Sequence, residues 1–420
     1  MSAEVLISYN YEAPGRHRIY SGGHGVYLFS RDGRKIFDGL SGSMNANLGH
    51  GNKAVAAAMA SQAVGITSVP SVAGDVSEDC VFLAEKLCRY LGVVDNSCSF
   101  ASSGSEATET ALAIVWKYWS EMGRPGKSKI LSLDGSYHGC TLGALAITGR
   151  SEEHVDVPIL PGLRLALPSW DPSDDSRVSA ALGELLASTG SESVAAIFLE
   201  PVMGLAGMVP AALNDIRKVV SICHSNDILV VLDEALTGLG RAGYQTAAEM
   251  YGIDHDLLLV SKGLGCGFVP IAATCIAPQV SSIVEGALPS LRHGHTSSGN
   301  PVAARIASAV IDELEAHNAT HNARRMESIF KEQMASRVVE LHEKCAVRAT
   351  GLCLAVETDD SVYAQRVRQN AFDLGLRIRA IDGNIIACPP LVVTEHELAE
   401  MADLLSRALL MTERTRPAEV

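Results

Sequence analysis

Short runs of consecutive apolar residues, each closed by a polar residue and a Gly-rich turn, alternate along the middle of this chain with stretches whose apolar positions recur at helical spacing. Ile228 to Leu232 ends on Asp233-Glu234, and Leu257 to Val260 ends on Ser261-Lys262; the turns Gly238 to Gly243 and Gly263 to Gly267 follow. Runs this short, without alternation, suit strands buried on both faces of a sheet. Ile130 to Leu133 and Ser193 to Glu200 have the same form, and a short strand through Phe100 enters the turn Ser102-Ser103-Gly104-Ser105. Helices are predicted over 53–64 and 77–92. Another starts beyond the serine turn, where Ala107, Ala111, Ile114, Val115 and Tyr118 recur, and further ones cover 213–225 and Pro301 to about His317. Residues 151–193, with prolines at 158, 161, 168 and 172, read as connection. The alternation predicts an α/β fold with a large, mostly parallel sheet.

Toward both ends the pattern changes. Residues 25–39, GVYLFSRDGRKIFDG, form a hairpin pattern around Asp32-Gly33, and LRIRAIDGNIIACPPL turns at Asp382-Gly383. A helix of mixed charge is expected over 318–343, then the strand-like CAVRATGLCLAVE and another helix. Thr394 and Glu397 make a capping box for the last helix, with fraying after about 412. Neither terminal piece is large enough to stand alone, so the two are expected to meet. This divides the chain into an N-terminal segment 1–65, a large domain 66–317 and a C-terminal part 318–420, the two ends together building a smaller α+β domain.

Composition narrows the function. With 420 residues and a formal net charge of −14, its basic residues scattered, the chain has no nucleic-acid surface, and no apolar run approaches a membrane span. MSAEVLISYNYEAPGRHR lacks a secretory h-region, so a soluble, cytoplasmic protein is expected. The 10 cysteines include no C-x-x-C, and Cys98, Cys223 and Cys275 lie in apolar surroundings, as reduced core thiols do. His293 and His295 are the nearest thing to a metal pair, and no metal site is expected.

The strand ends carry the candidate chemistry. In open α/β sheets ligands sit beyond the carboxyl ends of the strands, which would deliver Asp233 and Lys262 to one crevice. A simple strand-end ion pair is one reading. The other is pyridoxal phosphate, whose aldehyde takes a lysine and whose pyridine nitrogen takes a carboxylate. Ser103 and Glu106 fit a capping box, but a Gly-and-Ser turn opening a helix also presents free N–H groups and the positive dipole end to a phosphate. Tyr137, in SYHG just past a strand end, can lie over a flat heteroaromatic ring.

Taken together, SSGSEATETA, SYHG, EPVMG, LDEALTGLGR, SKGLGCGFVP and HGHTSSGNPVA resemble the motifs of the class III, or omega, aminotransferases of the aspartate aminotransferase fold (fold type I), over about residues 23 to 405. The resemblance implies Lys262 as the Schiff-base lysine and Asp233 as the pyridinium partner. It also implies Tyr137 as the stacking ring, Ser103, Gly104 and Ser105 as the phosphate cup, and Glu200 and Ala235 beside the cofactor. Thr296 would reach the phosphate of a neighbouring subunit in a homodimer with shared sites. Arg379 aligns with an arginine that meets a substrate carboxylate.

Some positions depart from the family pattern. Members acting on ornithine or 4-aminobutyrate resemble EPVQGEGG and DEVQTG, whereas here Met203, Leu205 and Leu236 stand at the corresponding places. Met44 stands where many members have a tryptophan, and Ala235 where a valine is usual. These changes imply an omega-amino acid, amine or bulky cyclic ketone as one partner and a small 2-oxo acid as the other, in a ping-pong exchange. Racemases and aminomutases of the same family share the lysine and aspartate and remain alternatives. From another class, so does a pyridoxal-phosphate-binding protein without turnover.

Overall fold

A strand buried on both faces needs neighbours on both edges and helices above and below, and the apolar runs find both. The computed structural model describes residues 18–69, 74–155, 160–287, 291–339, 345–358 and 360–414. Its large sheet has seven strands: β1 (Ser97–Ala101), β2 (Lys129–Leu133), β3 (Arg164–Leu167), β4 (Val194–Leu199), β5 (Leu229–Asp233), β6 (Leu257–Val260) and β7 (Ala272–Ile276). Their order is β1-β7-β6-β5-β4-β2-β3. All pairings are parallel except those of β7, which runs antiparallel to β6 and to β1. Every residue of β4, β5, β6 and β7 is buried, as unbroken apolar runs require.

The structure adds to the sequence expectation at two places that shape the large sheet. The connection 151–193 holds strand β3 and the helix Arg177–Thr189. RLAL is an edge strand too short to show a period. The helix lacks a local cap, because its Val178 and Ser179 N–H groups donate to Asp215, 2.8 Å each, on the neighbouring helix Leu213–Ser225. The second addition is β7, an apolar run without a chemistry-bearing end. It fits between β1 and β6 and so brings the turn after β1 close to the turn after β6.

The terminal pieces do share a sheet. Tyr27–Ser30 and Lys35–Asp38 form the N-terminal hairpin, and Leu376–Arg377 adds to it in parallel with Leu376 opposite Phe37. A second four-stranded sheet contains Ala346–Thr350, Cys353–Glu357, Asn384–Ala387 and Arg379–Ile381. Asp382 and Gly383 turn the last hairpin with positive φ at both positions, 48° and 79°, as a type I′ turn demands. Arg241, just after β5, is fully buried and fastens both pieces to the large sheet: Nη1 donates to the Pro389 carbonyl at 2.6 Å and Nη2 to Asn47 Oδ1 at 2.7 Å. An apolar cluster of Leu40, Met44, Val202, Met208, Leu236, Ile381 and Ile386 fills the junction. The predicted fraying after 412 falls partly on 415–420, outside the described residues, and no helix among the described residues is long and apolar enough to cross a membrane.

Candidate active site

The parallel strands β5 and β6 end side by side, Asp233 opposite Leu259, so their next residues project past the same sheet edge. There lies a cavity of about 490 Å³, closed on its other side by residues from both chain ends. Asp233 and Lys262 both line it, and so do Tyr137, Glu200, Ala235, Leu205, Met44 and Arg379. Met203 is buried in the core and is absent from the cavity wall, whereas Leu236 is part of it. The Ser103-Gly104-Ser105 turn and Thr296 are not in that wall. The turn abuts it: a Cβ on Gly104 would lie 3.5 Å from Ser261 Oγ and 3.9 Å from the Ala235 methyl. Thr296 is exposed, in a loop joined to the start of helix Gly104–Glu121 by His295 Nε2, 3.4 Å from Glu106 Oε2.

Lys262 sits in the left-handed backbone region at φ +33°, which a lysine rarely adopts and which gathers at functional sites. Among the described residues nothing hydrogen-bonds or ion-pairs with its ammonium, so the simple Asp233–Lys262 ion pair is absent. Asp233 is instead held by its own side of the sheet. Its Oδ1 accepts from Ala235 N–H at 3.1 Å, and its Oδ2 lies 2.9 Å from His138 Nδ1. His138 is almost wholly buried, edge-on to Phe198, and its Nε2 has no partner. An ionised aspartate only accepts, so Nδ1 carries the proton in this pair.

Glu200 closes the end of β4. Its carboxylate accepts from Tyr137 N–H at 2.7 Å and Gly204 N–H at 3.3 Å, which anchors the tyrosine segment beside the cavity. Burial pushes its pKa up to about 7, against the pull of His138. Glu234 points the other way, accepting from Ala247 N–H, Ala248 N–H and Thr237 Oγ1, and burial likewise takes it to about 7.

On the opposite wall, fully buried Asp38 organises the Leu40–Met44 loop. It accepts from Gly42 N–H at 2.6 Å and Arg377 Nη1 at 2.8 Å, and lies 2.9 Å from His50 Nε2. Burial opposes its charge, but His50, Arg377 and Gly42 together hold its pKa below the ordinary value. Arg377 is thereby occupied. Arg379 is half-buried, lines the cavity and has no hydrogen-bond or ion-pair partner among the described residues. Arg150 ties the walls together, Nη1 donating to the Leu205 carbonyl at 2.7 Å and Nη2 to Asp382 at 2.8 Å.

Sequence reasoning passed over His138, Asp38 and Arg150. His138 stood in view inside SYHG, next to the tyrosine. A charged residue at the end of an apolar run, as Asp38 is in KIFD, is the same signal that singled out Asp233. Arg150 left no local trace.

The residues fit pyridoxal phosphate. The N–H groups of Gly104 and Ser105 have no acceptor among the described residues, while Ser103 Oγ caps the helix by accepting from Glu106 N–H at 3.2 Å. That leaves two N–H donors and a dipole end for an anion beside a free lysine and a buried carboxylate.

Comparison with known proteins agrees. The family model for class-III aminotransferases matches residues 9–409. An uncharacterized aminotransferase, y4uB, of Sinorhizobium fredii is 30% identical over 93% of this chain and 90% of its own length. A diaminobutyrate–2-oxoglutarate transaminase of Halomonas elongata is 28% identical over 95% of this chain and 91% of its own. Among solved structures, an amine transaminase from an uncultivated Pseudomonas species in its PLP-bound form superposes with a TM-score of 0.93 at 28% identity, covering 98% of this chain and 99% of that one. With the lysine, the carboxylate and the open helix end gathered around one cavity, the chain belongs to the class-III aminotransferases, enzymes that use pyridoxal phosphate.

Proposed function

We propose that this aminotransferase takes an amine or omega-amino acid as donor, or a bulky ketone as acceptor, and exchanges the amino group with a small 2-oxo acid. The observation that carries this reading is Arg379. It is a cation without a partner among the described residues, in a cavity whose neighbouring wall, at Leu205 and Leu236, is apolar. A carboxylate partner gains a bidentate guanidinium contact, while a neutral amine finds apolar surface once the arginine turns away. Met44 and Ala235 leave room for a bulky group. The amine transaminase likeness supports the reading, and the diaminobutyrate relative marks its main competitor.

Pyridoxal phosphate supplies an aldehyde for the donor amine and a ring that withdraws electrons from the carbon bearing it. Around it, this chain's residues divide the work. Lys262 would hold the aldehyde until the donor amine displaces it, and its freed Nζ would then carry the proton from the donor carbon to the cofactor. Asp233 keeps a proton on the pyridine nitrogen, and His138 holds Asp233 in place. Gly104 and Ser105 N–H groups would bind the phosphate, with Ser103 shaping the turn. Tyr137 and Ala235 would flank the ring, and Glu200 fixes the Tyr137 backbone.

Thr296, exposed on this chain, completes the phosphate site of a second copy in a homodimer. Residues 66–317 are the cofactor-binding domain, and 1–65 with 318–420 the small one; the pairing of Leu376–Arg377 with Lys35–Asp38 supports that division. Ten free cysteines support a cytoplasmic setting. The test is a panel of amino donors read by loss of the cofactor's absorbance, with pyruvate as acceptor. Amines and omega-amino acids should lead, and a wide margin for 4-aminobutyrate or ornithine would overturn the reading.

A further inference from the structure

Three cysteines far apart in the chain converge at one point on the large sheet. Cys98 and Cys275 stand directly opposite each other on the antiparallel pair β1 and β7. Cys88, in the last turn of helix Glu78–Leu91, meets them there. Its sulfur is 3.3 Å from that of Cys98, which is 3.7 Å from that of Cys275, and all three lie within 4.8 Å of one another. Cys88 and Cys275 are buried and Cys98 is half-buried. A core needs small apolar side chains here, but it has no reason to bring three sulfurs to a common centre.

These spacings come near those around one ion held by three sulfurs, with the Cys88–Cys98 pair needing to open by about half an ångström. At a metal–sulfur distance of about 2.3 Å, three thiolates stand about 4.0 Å apart around a planar ion. They stand about 3.8 Å apart if the ion keeps a fourth, tetrahedral ligand. No carboxylate or histidine joins the three sulfurs among the described residues, so a fourth position would fall to water. Half-buried Cys98 gives one approach. A second runs past Asn96, whose carbonyl accepts from Cys88 Sγ at 3.4 Å and which also lines a surface cavity of about 670 Å³. All-sulfur donors select soft closed-shell cations over magnesium, calcium or manganese.

We propose that Cys88, Cys98 and Cys275 form a binding site for a thiophilic closed-shell cation, Zn²⁺ or Cu⁺, coordinated by three thiolates. Binding releases the thiol protons to solvent. The ion ties the end of helix Glu78–Leu91 to β1 and β7. β1 is an edge strand, and the far end of β1 opens directly into the Ser103-Gly104-Ser105 turn. Cys98 lies three residues before Ala101, about 10 Å along the strand, so the ion touches no reacting atom and acts by holding the strand that carries the turn.

The experiment uses reduced, cofactor-loaded enzyme under anaerobic conditions, titrated separately with Zn²⁺ and with Cu⁺ against a chromogenic chelator. One equivalent should bind, three thiols should become protected from an alkylating reagent, and the melting temperature should rise with free metal. Peptide mapping should place the protection at Cys88, Cys98 and Cys275. Tight uptake of one ion and not the other identifies the physiological class, and either supports the site. Cys98→Ser and Cys98→Ala, both at the half-buried position, should weaken binding by more than about a hundredfold, since even indirect support of a metal ligand is worth about 10- to 100-fold. Cys223→Ser, outside the cluster, should bind as wild type. Absence of a bound equivalent overturns the proposal, as does protection mapped to other cysteines or undiminished uptake by both Cys98 variants. A Cys88–Cys98 disulfide in air-purified protein that takes up no metal after reduction overturns it too. Mapping on the wild type decides the matter even if a variant fails to fold.

Discussion

Replacing His138 tests whether Asp233 depends on a partner 95 residues away. The Nδ1 to Oδ2 distance of 2.9 Å joins two buried side chains, so water cannot take the histidine's place. A hydrogen bond to a charged group contributes about 1.5–3 kcal/mol. His138→Leu fills a similar volume against Phe198 but leaves Asp233 with the Ala235 N–H alone. If Asp233 is the group that keeps the pyridine nitrogen protonated, that loss should appear in the half-reaction rate, about 10- to 150-fold. His138→Asn places an amide N–H near the old Nδ1 and should recover part of it. The assay is single-turnover loss of the cofactor absorbance with one amine donor, beside a cofactor titration and circular dichroism to establish folding. Wild-type rate and cofactor affinity in His138→Leu would refute the reasoning. Equal losses in the Leu and Asn variants would assign the residue to packing.

Gly139 has φ +132°, and a Cβ there would lie 2.5 Å from Ser105 Oγ; Gly139→Ala, straining the backbone by about 1–3 kcal/mol and pushing on the phosphate turn, should weaken cofactor affinity at least several-fold in an equilibrium titration. Arg379→Ala should raise KM for a 2-oxo acid by about 10- to 100-fold, the equivalent of a 1.5–3 kcal/mol charge-assisted contact, and hardly change that for a neutral amine, measured by steady-state kinetics with both partners varied. Burial raises Glu200 from 4.5 to about 7, so between those values the folded apoprotein holds a proton that the unfolded chain has lost, and stability falls as pH rises. Glu200→Gln, still able to accept from Tyr137 N–H, should flatten that part of the pH–stability curve in urea titrations by up to about 3 kcal/mol; an unchanged slope would contradict it.

What the sequence made legible is what lies close along the chain. Asp233 and Lys262 each follow an apolar run, and parallel strands with the same polarity must end at the same edge. Finding both in one cavity therefore needed only the period and the fold class. Tyr137 was visible for the same reason, and Glu200 through the family resemblance. The illegible parts are contacts between distant positions: His138 on Asp233, Asp215 capping Arg177–Thr189, Arg241 binding Asn47 and Pro389. Each depends on a side chain crossing between elements, and no periodicity encodes that. The cysteine cluster is the extreme case. Spacings of 10 and 177 residues match no metal motif, yet a helix end and an antiparallel strand pair bring the three sulfurs together.

The arrangement of charge in the cavity bears on how one site can serve two unlike substrates. On the large-sheet side, Asp233 has His138 and Glu200 has backbone N–H donors, so neither needs a cation from the substrate. On the other wall Asp38 takes up Arg377, and Arg150 is committed to Leu205 and Asp382. Lys262 aside, Arg379 is a cation of this cavity with no partner among the described residues. A carboxylate at Leu205 would pair with it and hold it in one position, and a second substrate would then have to break that pair. Leu205 supplies no such counter-charge, so under the proposed function the substrate would set the arginine's position. Arg150 and the Asp382-Gly383 turn fasten its hairpin, so a rearrangement of Arg379 would fall to the side chain. On the proposed function, a cavity built this way would present a cation to a 2-oxo acid and an apolar wall to an amine without moving its backbone.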